Sequence, residues 1–207
     1  MFRLFRRRTA ALSVSAGLLA LAPALTACGS TAHPGAAAIV GKDRITVTQL
    51  QQQVEDVRRV QRTSPQAEQL VANSARLSQD TLVRLIQYRI VAKAGHDNGV
   101  DLTRGDLQRE RAQVERANGG AEAVRARFLA LGIAPDQIDQ ALAMDLVRTR
   151  LDGKLGAART NQVLMRTSED LRVDINPRFG TWDPKRGTAT PTRDPWLRAT
   201  LPSDRPI

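Results

Sequence analysis

Few side chains in this chain could act as nucleophiles, bases or metal ligands. There is one cysteine, Cys28, and two histidines, His33 and His96. A lone thiol excludes an internal disulfide and any cysteine-based metal site. His33 lies in a stretch of small uncharged residues and His96 near an expected helix end, so no histidine site for metal or catalysis is expected. The acids Glu55, Asp56, Glu110 and Glu115 have helical neighbours of opposite charge, which is the pattern of a solvated face rather than a catalytic pair. No nucleophile–base motif, phosphate loop or metal-ligand spacing occurs. No cofactor and no enzyme activity are expected. The one reactive group left is the Cys28 thiol, and its surroundings give it a use.

Arg3, Arg6, Arg7 and Arg8 form a basic patch, and no charge occurs from Thr9 to Ala27. Basic residues, an apolar run and then small residues are the grammar of a secretory signal peptide over 1–27. Leu25-Thr26-Ala27-Cys28 resembles the lipobox of bacterial lipoproteins. The resemblance implies alkylation of the Cys28 sulfur by a diacylglyceryl group and cleavage before it. Two acyl chains anchor stably where one does not. An uncleaved membrane span is the alternative, but Pro23 and the polar Ser13 and Ser15 weaken it. Arg7-Arg8 is a partial match to a twin-arginine export signal, and general secretion is the default. The expected location is the extracytoplasmic face of the cell membrane, with residues 28–36 as a lipidated tether.

The formal charge is +10, and the four arginines at the N-terminus carry four of those charges. After Arg8 there is no basic block and the charges alternate, so no nucleic-acid partner is expected.

The elements that follow are mostly helical. Ile39-Val40, a Gly41-Lys42-Asp43 turn, and Ile45 with Val47 predict a hairpin. Thr48 with Gln51 fits a capping box for a first helix over 48–62. Ser64-Pro65 predicts the start of helical structure through 66–97, one helix or two, stopped by Asn98-Gly99. Thr103 and Asp106 cap a third helix that ends near Asn118-Gly119-Gly120. Val124, Phe128 and Leu131 mark a fourth, and Pro135 opens a fifth carrying Ile138, Leu142 and Leu146. The pattern weakens after Gly153 and Gly156. Leu171, Val173 and Ile175 alternate with polar residues, predicting a strand over 171–176 that pairs with the hairpin. From 184 to 207 the chain is rich in Pro and Arg and is expected to be a loosely ordered tail.

This order of motifs has a known counterpart. "IVGKDRITVTQL" resembles the opening of the SurA N-terminal domain, shared with PrsA-type foldase lipoproteins. "DTLVRLIQYRIVAKAGHDNGVDLTRGDL" resembles the helix, glycine end and capped helix that follow, and "FLALGIAPDQI" the next helix–turn–helix. The resemblance covers about 37–150. It implies a mainly α fold, a five-to-six-helix SurA N-terminal-like domain over 37–183 whose small β-sheet joins the N-terminal hairpin to a C-terminal strand. It also implies an ATP-independent chaperone-like module for unfolded or extended exported polypeptides. Many members carry an inserted parvulin domain; here too few residues separate the fifth helix from Leu171 to hold one, so isomerase activity is not implied. The competing reading is a non-catalytic scaffolding lipoprotein that binds one cell-envelope partner. Phe179 and Trp182, flanking Gly180, are the candidate peptide-binding residues; they either line a cleft or pack over the hairpin.

Overall fold

The computed structural model describes residues 34–190. Cys28, His33 and Trp196, with the expected signal segment and most of the expected tether and tail, lie outside them. Seven α-helices and two small antiparallel sheets make up the described chain.

β1 (Ala36–Val40) and β2 (Asp43–Thr46) form the expected hairpin, with β1 starting three residues before Ile39. α1 (Val47–Arg62) follows without a linker. Its cap is Thr46, not Thr48. Thr46 Oγ1 accepts from the Gln49 backbone N–H at 3.0 Å, and Gln49 Oε1 accepts from the Thr46 N–H at 2.9 Å. Thr48 and Gln51 repeat the same chemistry two residues later. The strand decides between them: Ile45 must point into the core, and the Val47 N–H is held by the Gly35 carbonyl at 2.9 Å. Leu50, Val54 and Val57 then fall on the buried side.

Ser64-Pro65 makes a turn rather than a helix start. α2 (Ala67–Ala72) is a short helix pinned by Leu70, and Ser74 Oγ donates back to the Val71 carbonyl at 2.7 Å, ending it. α3 (Leu77–Asp97) is the central helix. Leu82, Ile86, Leu85, Tyr88, Ile90, Val91 and Ala94 are buried on several of its faces, so its pattern is apolar rather than amphipathic. Full burial of Leu82 and Ile86 contributes about 1.5–3 kcal/mol each.

α4 (Arg104–Ala117) carries the expected capping box: Asp106 N–H to Thr103 Oγ1 at 3.1 Å, and Thr103 N–H to Asp106 Oδ2 at 2.8 Å. α5 (Ala121–Ala130) buries Val124 and Leu129. Leu131, expected on its inner face, is the C-cap residue and stands 62% exposed. Pro135–Gln137 is a single 3₁₀ turn, after which α6 (Ile138–Leu155) buries Ile138, Ala141, Leu142, Val147 and Leu151, while Leu146, expected on that face, is half-buried. Buried Gln137 is satisfied: its amide donates to the Gln53 carbonyl at 3.1 Å.

The chain then turns at Gly156, with φ +81°, into α7 (Ala157–Asp170), a helix that the apolar pattern does not announce. Its buried positions are Thr160, Thr167 and Ser168, so hydroxyl residues occupy the inner face where periodicity analysis looks for aliphatic ones. Thr160 is satisfied by the Gly156 carbonyl at 3.1 Å.

The closing strand is shorter than expected. Leu171 caps α7, and its carbonyl accepts from the Gly41 N–H at 2.7 Å; only β3 (Asp174–Ile175) is strand. It pairs antiparallel with β1, Ala38 opposite Ile175, giving the order β2-β1-β3. Asn176 extends the join through its backbone N–H to the Ala37 carbonyl at 2.9 Å. Beyond it β4 (Thr181–Asp183) and β5 (Thr188–Thr190) form a second hairpin, so residues 184–190 are ordered rather than part of a loose tail.

Candidate functional site

Three helices and the turn of the second hairpin enclose a groove of about 450 Å³. α3 contributes Gln87, Ile90 and Val91, spaced so that they share one face. α6 contributes Met144 and Arg148, one turn apart. α7 contributes Asn161, Leu164, Met165 and Ser168, again on one helical stripe. Pro184, Lys185, Arg186 and Gly187 form the fourth wall. The volume falls in the range of ligand clefts, and the floor of Ile90, Val91, Met144, Leu164 and Met165 is apolar. Met165 is 38% exposed, an unbranched and adaptable side chain open to solvent.

Each wall is fixed by specific bonds. Gln87 donates to the Gly187 carbonyl at 2.8 Å, tying the hairpin turn to α3. Gln79 does the same one end earlier, donating to the Phe179 carbonyl at 3.2 Å. Asp183 shapes the turn by accepting from the backbone N–H groups of Lys185 and Arg186 at 3.0 and 3.1 Å. Arg148 donates to Asn161 Oδ1 at 2.8 Å and so clamps α6 to α7 at the rim.

Neither candidate aromatic lines this groove. Trp182 is 9% exposed and belongs to the core, with Ala189 as its cross-strand partner. Its indole N–H donates to Ser168 Oγ at 2.9 Å, so Trp182 reaches the groove only through Ser168. Phe179 is half-buried and packs against the same core. The lining residues that sequence reasoning passed over, Leu164 and Met165, sit on the helix that the sequence pattern did not announce. Their i, i+3 and i+4 spacing from Asn161 and Ser168 was the available signal.

A second cavity of about 140 Å³ lies between α3 and α6 and shares Val91 and Met144 with the groove. Tyr88 borders it. Its hydroxyl is buried without a hydrogen-bond partner, and burial pushes its pKa up to about 12. Elsewhere, Asp106 is held well below the usual carboxylate range, first by the Arg150 guanidinium at 2.7 Å and then by Thr103. His96 is exposed with Nδ1 3.1 Å from Asp101 Oδ1, a surface contact. Among the described residues no group of three or more His, Cys, Asp or Glu side chains could hold a metal ion. No described helix is long and apolar enough to cross a membrane.

The fold is therefore a helical domain closed by a small sheet, with a cleft on one side lined by both apolar and polar side chains. The family model for the SurA-like N-terminal domain matches residues 1–152, most of the chain. The protein belongs to this family, a chaperone-type family, and the matched part includes α1 to α5 and most of α6. Among the described residues α7 fills the span between α6 and Leu171, so no parvulin domain is inserted there. No curated protein and no solved structure matches the chain. α7 and the second hairpin, which supply eight of the thirteen residues lining the groove, lie beyond the matched residues.

Proposed function

We propose that this protein is an ATP-independent chaperone-like module that binds unfolded or extended exported polypeptide in the α3–α6–α7 groove. In this reading it is held at the extracytoplasmic face of the cell membrane by a lipid on Cys28, and it binds without catalysis. The observation that carries the reading is the groove's floor: five apolar side chains, with Met165 open to solvent, three of them within the residues matched by a chaperone-type family. An extended chain leaving an export channel exposes apolar side chains that aggregate unless they are covered. A cleft with an adaptable methionine floor covers such side chains without demanding one sequence. A membrane tether would keep the cleft where those chains emerge. The Leu25-Thr26-Ala27-Cys28 motif supports the tether.

The test is suppression of aggregation of a denatured client on dilution, with the purified full chain in molar excess. The wild-type chain slows light scattering, and Met165→Asp removes most of the effect while leaving the helical circular dichroism unchanged. Wild-type protein that fails to slow aggregation contradicts the proposal.

A further inference from the structure

The charge that lines the groove is one-sided. Arg148, Lys185 and Arg186 line it, and no acid does. Their existing partners leave donors to spare. Arg148 gives one guanidinium N–H to Asn161 and, among the described residues, has no carboxylate within 4 Å, although its charge acts on Asp145 one turn earlier. Arg186 is 3.6 Å from Asp183, a long contact to a carboxylate that already caps two backbone N–H groups of the turn. Lys185 is exposed, and its ammonium has no partner among the described residues. A guanidinium offers five donors and an ammonium three, so most are uncommitted. The cations also stand on two walls, α6 and the hairpin turn, with Met144, Leu164 and Met165 as the apolar floor beside them.

From this arrangement we infer that the groove selects extended polypeptide segments in which an apolar side chain lies close to a carboxylate. The apolar group covers Met144, Leu164 and Met165. The carboxylate accepts hydrogen bonds from Lys185 and Arg148 across the rim. A lysine- or arginine-bearing segment meets like charge on both walls and is disfavoured. The carboxylate can be an acidic side chain or the free end of a chain; the chemistry at the rim is the same. This inference rests on the groove being the polypeptide site and adds its charge preference.

The test uses the full chain and fluorescein-labelled peptides of alternating leucine and serine, read by anisotropy. Three amidated peptides carry two glutamates, two glutamines or two lysines at the same positions. A fourth is the glutamine peptide with a free C-terminal carboxylate. The glutamate peptide is expected to bind about tenfold tighter than the glutamine peptide, the scale of a charge-assisted hydrogen bond, with the lysine peptide weakest. Added salt narrows the spread. Lys185→Glu, an exposed turn position, and Arg148→Glu each shrink the preference, and together they reverse it. Tight binding of the fourth peptide identifies the chain end as the carboxylate that is read, and weak binding identifies the side chain. Equal affinity for the three amidated peptides, all still weakened by Met165→Asp, overturns the charge preference and leaves the polypeptide-binding reading intact. No binding of any peptide overturns both.

Discussion

At the scale of single residues, Trp182 is tied to the candidate groove without lining it. Trp182 fills the space under the second hairpin and spends its only donor on Ser168, a groove residue. Trp182→Ala is expected to destabilise the domain by about 3–5 kcal/mol, the usual result for a large buried aromatic. Urea unfolding checks it, and loss of client binding without loss of stability would instead make Trp182 a contact residue. Asp106 is the clearest titratable case. Its folded-state pKa lies below its unfolded value because Arg150 and Thr103 hold the ionised form. The unfolded chain therefore takes up the proton first as pH falls. The stabilisation is complete above the ordinary carboxylate range and is lost as pH drops through the lower, folded value. Asp106→Asn keeps an oxygen for the cap but loses the charge. Its melting temperature is expected below wild type at about pH 6, with the gap closing toward about pH 2. A gap that is constant across that range would exclude the ionised carboxylate as its cause.

Among the elements, those with strong local signals were legible in the sequence and those held by tertiary contacts were not. Thr103 and Asp106 announced α4, and the hairpin glycine and aliphatic alternation announced β1 and β2. The rival caps Thr46 and Thr48 could not be separated locally, since only the buried Ile45 and the bond to Gly35 distinguish them. α7 was hidden because its inner face is Thr160, Thr167 and Ser168. β4 and β5 were hidden because each is three residues long and takes its support from α3 through Gln79 and Gln87. The candidate site inherits this split: α3 and α6 were foreseen, while α7 and the turn were not. The second hairpin also has a fragile point. Gly180 adopts φ +119°, and a Cβ there would lie 2.4 Å from the Thr190 carbonyl oxygen. That contact is with backbone and cannot yield cheaply. Gly180→Ala is expected to detach β5 while sparing the helices. Amide exchange should quicken at 181–190 and not within α3, and unchanged exchange throughout would show that the hairpin tolerates the methyl group.

For the whole molecule, a membrane tether is proposed at one end and a groove is built by α3, α6, α7 and the turn of the second hairpin. Cys28→Ala is expected to release the protein from the membrane fraction or leave it as unprocessed precursor, with a mass change from the lipidated form. Retention at unchanged mass would make the apolar N-terminal run the anchor. In the proposed reading the tether sets location and the groove sets binding, so these two properties should separate: the Cys28→Ala chain should still hold a client in solution. The central claim is that the groove is where polypeptide binds. The measurement that reaches it most directly is photo-crosslinking of a denatured client to the full chain, from a benzophenone side chain placed at Met165 and, as a control, at Val71. Both positions are exposed apolar sites, 38% and 49%, but only Met165 lies in the groove. The account predicts client adducts from position 165 and few from position 71. Equal adducts from both positions, or none from 165, would contradict it.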